Sequence, residues 1–288
     1  MPWLYLAIPL IVVVAAAVAF LVHPSPGPLP ILKEAWGPLA DPSGDLLIVI
    51  ATNMHMIVRP HIARRPQRLP APQEAYTAYG TQRPLAPGSP LYMEPAQLSA
   101  PLGELSAQVM LASLRSAFGG NTQILSEAEA PVAALRGRNG VLIGSATNSE
   151  AARALLRNLP YTIDYNDKDE FAVFDQRASS DKNQLFVSQP SGYAVASTLY
   201  GLLTVITSTD LEGKPRRTVV VSGTGSAGVQ AAVEFFCSPA RMQQMKDRFK
   251  AAGLKTFPAV YQVIVQAKTS GVRLLSYEYA GHAVADKP

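Results

Sequence analysis

Residues 218–236, TVVVSGTGSAGVQAAVEFF, decide the fold. Thr218 to Ser222 is an unbroken run of β-formers with no polar alternation, the profile of a strand buried on both faces. Six residues, Gly223-Thr224-Gly225-Ser226-Ala227-Gly228, turn the chain, and Val229, Val233 and Phe236 then recur on one helical face. A buried strand that runs through a tight turn into a helix is the repeating unit of an α/β protein. Immediately upstream, Tyr200 to Ser208 (YGLLTVITS) is a second strand. The intervening Asp210 to Pro215 contains Gly213, so the two are expected as a hairpin of antiparallel neighbours. Downstream, Ser238-Pro239 places a capping hydroxyl before a proline at the first helical position. Met242, Met245 and Phe249 line that second helix, and Gly253 ends it. Ala259 to Lys268 and Val272 to Tyr279 form a last expected hairpin around Thr269-Ser270-Gly271, with Gln262 and Gln266 implying a partly wetted face.

Toward the N-terminus the same grammar repeats. Leu46 to Ala51 (LLIVIA) and Val141-Leu142-Ile143-Gly144 read as further buried strands, and Thr122 to Leu125 as a short one. Between them a helix runs from Gly103 to Gly119-Gly120, with Leu105, Val109, Leu114 and Phe118 as its expected apolar face. Thr147-Asn148-Ser149-Glu150 matches a capping box, in which the Thr147 hydroxyl and Glu150 reciprocally satisfy the first turn. Ala151, Leu155 and Leu159 make the stripe of that helix before Pro160 stops it. Shorter strands are expected at Tyr161 to Asp164, Phe171 to Phe174 and Leu185 to Ser188. Together these elements predict an α/β class fold: a single three-layer domain with a mixed parallel/antiparallel sheet covered by helices. Arg59 to Pro101, with nine prolines and no sustained period, reads as a loop-like surface excursion.

Trp3 to Val22 is 20 residues without a charge, about 30 Å as a helix and hence long enough to span a bilayer. It lacks the basic leader of a cleaved signal peptide, which favours an uncleaved transmembrane anchor. His23 to Pro30 carries four prolines and suits an extended stalk. The expected division is therefore a transmembrane anchor over 1–23, a Pro-rich stalk over 24–35, the α/β domain over 36–282 with its excursion 59–101, and a disordered tail over 283–288. Only the α-amine and Lys33 bear on the positive-inside rule. With two residues ahead of the anchor, the large domain is expected outside the cytoplasm, on the periplasmic side.

The single cysteine, Cys237, excludes an intrachain disulfide and a cysteine-built zinc site. A formal charge of +4 with one local basic cluster, Arg59, Arg64, Arg65 and Arg68, gives nucleic acid little support. The glycine turn at 223–228 matches G-x-G-x-x-G but follows a hairpin strand and lacks a downstream ribose-binding carboxylate, which argues against a dinucleotide. Ser145 lacks the second glycine of a nucleophile elbow. His23, His55, His61 and His282 lie in the stalk, the early loop and the C-terminal end. Asp164, Asp167, Asp169 and Glu170 read as a solvated turn rather than a cation loop. No cofactor, metal or catalytic residue is expected.

Geometry remains as a guide, because ligands of open α/β sheets sit beyond the C-terminal strand ends. The candidate ligand-binding residues are Thr52 and Asn53, then Ser145, Thr147 and Asn148, then Gly223, Thr224, Gly225 and Ser226. All are neutral and most are polar, which suits hydroxyl-rich ligands, and the same residues serve as turns and caps. Partners are expected in the membrane, through 3–22, and in an envelope protein or glycan. The function read from this is a non-enzymatic binding or interaction module of the cell envelope. An enzyme acting on envelope saccharides and a membrane-tethered regulator with a cytoplasmic sensing domain are the alternatives.

Trp36-Gly37-Pro38-Leu39, the 46–51 strand, Val141-Leu142-Ile143-Gly144 with Asn148, and Val219 to Gly223 leading into Gly228 and Ala231-Ala232-Val233-Glu234-Phe235 carry a resemblance. The chain resembles a group of single-pass membrane-anchored bacterial proteins, of acidobacterial type, over residues 36–280. It is more distantly similar to α/β segments of surface-layer proteins. The resemblance implies an anchored α/β domain without assigned activity and no catalytic residue.

Overall fold

The computed structural model describes residues 30–51, 56–60, 91–95, 101–130, 135, 137–168, 170–179, 183–189, 196–271 and 273–285. The proposed anchor, 3–22, lies outside them. Among the described residues no helix is long and apolar enough to cross a membrane. The chain divides into two compact units, residues 1–51 with 101–288 and residues 52–100.

The larger unit is built on a mixed sheet of seven strands. Along the chain these are β1 (Leu46–Ile50), β4 (Thr122–Ser126), β5 (Gly140–Ile143), β9 (Ala196–Thr209), β10 (Pro215–Gly223), β11 (Val260–Ser270) and β12 (Arg273–Ala285). Their spatial order is β12-β11-β9-β10-β5-β1-β4. The four strands from β10 to β4 run parallel, whereas β10-β9, β9-β11 and β11-β12 are antiparallel. The 9–10 and 11–12 hairpins close at Gly213 (φ 79) and Gly271 (φ 58), where left-handed backbone favours glycine. In the smaller unit the described residues form one antiparallel ladder, β2 (Met56–Pro60) with β3 (Leu91–Pro95). Residues 59–60 and 91–95 are thus strand rather than the expected loop. Proline is tolerated there because a two-stranded ladder leaves its outer edges unpaired.

Alternation along each central strand builds two cores at once. Leu46 and Ile48, Val141 and Ile143, Val219 and Val221, Leu203 and Val205 face one side. There they meet four helices: α1 (Pro30–Trp36), α2 (Leu102–Ala117), α4 (Ser226–Cys237) and α5 (Pro239–Ala251). Leu47, Val49, Leu142 and Val220 face the other side and pack on α3 (Glu150–Leu156). Strands cover a further part of that second face. A three-stranded antiparallel sheet of β6 (Tyr161–Tyr165), β7 (Phe171–Asp175) and β8 (Gln184–Val187) brings Tyr161, Ile163 and Val173 against Leu202 and Ile264.

Five local expectations are corrected by this packing. The face of α2 that is buried consists of Gly103, Ala107, Gln108, Leu111 and Arg115, whereas Leu105 and Val109 are 44% and 65% exposed. Gly103 and Ala107 take inward positions where α2 packs closely on α4. Gln262 is fully buried rather than wetted, since β6 covers it: its Oε1 accepts from Tyr161 N–H (2.6 Å) and its Nε2 donates to Tyr161 O (2.9 Å) and Thr204 Oγ1 (3.0 Å). Residues 283–285 are not a disordered tail, because Gln262–Ala283, Tyr261–Val284 and Val260–Ala285 pair within the β11–β12 ladder. Residues 30–35 are not stalk but helix. Trp36 is fully buried, stacked on Phe236 (centroids 5.2 Å apart, planes at 7°) and edge-on to Phe118 (5.3 Å). Arg217 Nη1 donates to Ala35 O at the end of α1 (2.5 Å). The α3 cap, finally, sits two residues later than the expected box: Ser149 Oγ accepts from Ala152 N–H at 2.9 Å.

Candidate functional site

The C-terminal ends of β1, β5 and β10 lie side by side, with Ile50 level with Ile143 and Ile143 level with Val221. Ala51 N–H donates to Ile143 O (2.8 Å) and Gly144 N–H to Val221 O (2.9 Å), so the chains leave the sheet at one level. From β1 the chain passes by way of residues 52–100 to α2 on the first face, and β10 also leads to a first-face helix, α4. The central strand β5 leads instead to α3 on the second face. Neighbouring strands whose helices depart to opposite faces leave a crevice between their ends, the switch point of an open α/β sheet. Two such points flank β5.

Ser145, Thr147 and Asn148 form the turn at this switch point. Ser145 N–H donates to Asn148 Oδ1 at 2.8 Å, while Ser145 Oγ lies 3.1 Å from the same oxygen and 2.6 Å from Thr147 Oγ1. The Ser222 hydroxyl, on the last turn of β10, donates to Gly144 O at 2.7 Å. Gly144 is required by space: a Cβ there would lie 2.6 Å from that of Ala51. The first turn of α3 is already held by the chain's own carboxylate, since Ala151 N–H donates to Glu127 Oε1 at 3.0 Å. Thr52 and Asn53 lie outside the described residues.

The glycine turn is engaged in packing. Thr224 is buried, its N–H donates to Tyr200 O (2.8 Å), and its Oγ1 accepts from Tyr200 N–H (2.9 Å), so Thr224 extends the β9–β10 ladder by one step. Gly228 rests on the Tyr200 carbonyl and Gly201 on the Gly228 carbonyl, and a Cβ at either would overlap those atoms. Gly223 is closed by Val229 N, 2.6 Å from where its Cβ would stand. Gly225 differs: its φ of 172° is extended backbone, and a Cβ would meet only Leu199 Cδ1 at 3.2 Å. Ser226 Oγ accepts from Gly103 N–H at 2.7 Å, which places the first turn of α2 over the start of α4.

Next to that contact stands Glu104, the group the sequence did not single out. Burial raises its carboxyl from the ordinary 4.5 to about 7. A glutamate in the first turn of a helix normally reads as a favourable dipole partner, and only the tertiary structure reveals the loss of solvent. The adjacent Gly103, needed for the approach of α2 to α4, is the one local signal.

The remaining sequence-marked groups are placed elsewhere. Asn166 Oδ1 accepts from Lys168 N–H and Glu170 N–H, both at 2.9 Å, making the acidic β6–β7 turn self-satisfied, and Asp164 accepts from Tyr165 N–H. Asp169, His23, His55, His61 and the Arg59–Arg68 side chains fall outside what is described. Glu234 accepts from Gln230 on its own helix. His282 is a half-buried strand residue, its Nδ1 2.6 Å from Tyr279 Oη, and burial with Arg248 nearby lowers its pKa. Among the described residues no group of three or more His, Cys, Asp or Glu could hold a metal ion. Comparison with protein-family models, with curated proteins and with solved structures yields no match.

Proposed function

We propose that the chain is a membrane-anchored, non-enzymatic envelope protein whose α/β domain is a binding or interaction module, anchored through 3–22 and displayed on the extracytoplasmic side. The observation that carries the binding role is the pair of switch points around β5, where the buried Ser145 holds the half-buried Thr147 and Asn148 in a polar turn beside the β10 end. Neutral, hydrogen-bonding groups at such a crevice suit a hydroxyl-rich ligand of the envelope, such as a glycan. The resemblance to single-pass anchored bacterial proteins implies the same arrangement of anchor and domain.

Thermal unfolding of the detergent-solubilised full chain against sugars, nucleotides and anions tests this reading. A sugar is expected to raise Tm by several degrees, and Thr147→Ala to abolish that shift while moving the ligand-free Tm little. A panel in which no sugar shifts Tm overturns the glycan reading. Reporter fusions at the C-terminus test the location: an inactive alkaline phosphatase there defeats the extracytoplasmic placement and favours the cytoplasmic regulator.

A further inference from the structure

Basic residues outnumber acidic ones where the chain enters the domain. Helix α1 contributes Lys33 and Glu34. Helix α5 with the turn after it contributes Arg241, Lys246, Asp247, Arg248, Lys250 and Lys255. That is six basic residues against two carboxylates. This face therefore carries an excess of four positive charges, and the Arg59, Arg64, Arg65 and Arg68 cluster is a second basic segment of the chain.

The two helices form one surface. Lys246 Nζ pairs with Glu34 Oε2 at 2.6 Å, joining α5 to α1. Met242, Met245 and Phe249 bury the inner stripe of α5, which leaves its basic residues on the outer half. The guanidinium of Arg248 stacks 3.9 Å above the Tyr279 ring, and that of Arg241 lies 5.6 Å from the Tyr277 centroid while donating to Tyr277 O. Both are thereby held at the rim of an open groove of about 610 Å³ between α5 and β12, whose lining also includes Asp247 and Glu278. Lys33, Arg248, Lys250 and Lys255 are exposed.

The entry point limits where this surface can go. Residues 23–29, seven in number, separate the apolar 3–22 segment from Pro30, the first residue of α1. Fully extended they reach about 25 Å. On the anchor reading, which this inference rests on, the start of α1 therefore stays within about 25 Å of the bilayer surface.

From this chain length and charge we propose that the α1–α5 face docks on the anionic headgroups of the bilayer that holds the anchor. The attraction is electrostatic and acts within a Debye length of the surface, with each basic residue worth about fivefold in the docked population. The docked state fixes the orientation of the domain. The β6–β7–β8 sheet, on the opposite face of the main sheet, is then turned away from the membrane.

Lysine acylation read by mass spectrometry tests this on the full chain reconstituted in lipid nanodiscs, zwitterionic or containing a third of phosphatidylglycerol. In anionic discs, labelling of Lys33, Lys250 and Lys255 is expected to fall several-fold relative to zwitterionic discs and to recover in 0.5 M salt. Lys168, on the β6–β7 turn, serves as the control and keeps its rate. Lys250→Glu with Lys255→Glu, both exposed, is expected to restore labelling at Lys33. Equal labelling in the two discs, with the chain retained in both, overturns the docking face alone. A chain that fails to enter either disc overturns the anchor reading and the inference with it.

Discussion

Gln262 acts as a piece of backbone. Its side-chain amide makes three hydrogen bonds, two of them to the peptide groups of Tyr161, and so fastens β6 to a sheet with which it forms no strand pairing. Removing it leaves a buried N–H and C=O without partners, each costing about 1–3 kcal/mol. Gln262→Ala is expected to lose about 3 kcal/mol in chemical denaturation, with β6 and β7 losing hydrogen-exchange protection before β11. Glu104 carries the opposite sign of effect. Its folded pKa of about 7 lies above the unfolded 4.5, so the native state binds more protons between those values. The contribution is fully present below about pH 4.5, declines as pH rises through 7, and is absent above. Solvent screening reduces it to about 1–2 kcal/mol. Thermal unfolding at pH 4.5 and pH 8 should therefore diverge less in Glu104→Gln than in the unaltered chain, by that amount.

Helix α4 is fixed by contact of backbone with backbone. Gly228 sits on the Tyr200 carbonyl and Gly201 under the Gly228 carbonyl, leaving no room for a methyl group between helix and β9. Gly228→Ala must push α4 off the sheet and through it disturb Val229, Ala232, Val233 and Phe236; a loss of about 2–3 kcal/mol is expected. Gly225→Ala, with extended φ and only the movable Leu199 side chain nearby, is expected to cost under about 1 kcal/mol. Parallel denaturation curves of the two variants check the contrast. A reversed order would mean that the turn, rather than the helix–sheet contact, sets the geometry.

At the scale of the molecule, α1, from Pro30, is packed into the larger unit. Trp36 stacks on Phe236, its Nε1 donates to Phe236 O at 3.5 Å, and Arg217 ties down Ala35 O. Gly37, at φ 52, lies against the Arg217 guanidinium. A chain starting at residue 30 is expected to keep the Tm of the full chain. One starting at residue 38 loses Trp36 from the core and should lose about 3–5 kcal/mol, the usual cost of deleting a buried Trp. Comparable melting of the two would show that α1 is not part of the cooperative unit.

Local patterns determined much of this protein. The runs at 46–51, 141–143 and 218–222 are apolar on both faces and so had to be interior strands. Gly213 and Gly271 turn the two hairpins, and Ser238-Pro239 starts α5 where the cap chemistry places it. The turns after β5 and β10 were legible together for the same reason, since parallel strands share a C-terminal edge. Partner-dependent burial was not legible. Leu105 and Val109 look like core, and are displaced by Gly103 and Ala107, because helix α2 needs close approach to α4 more than it needs apolar area. Gln262 looks wetted until β6 lies over it, and Glu104 looks like an ordinary first-turn carboxylate until packing takes it out of solvent. Periodicity in a sequence reports which face of an element is apolar; which neighbour covers that face, and how closely, is settled only when distant segments pack, and that contact sets the pKa of Glu104 and the burial of Gln262.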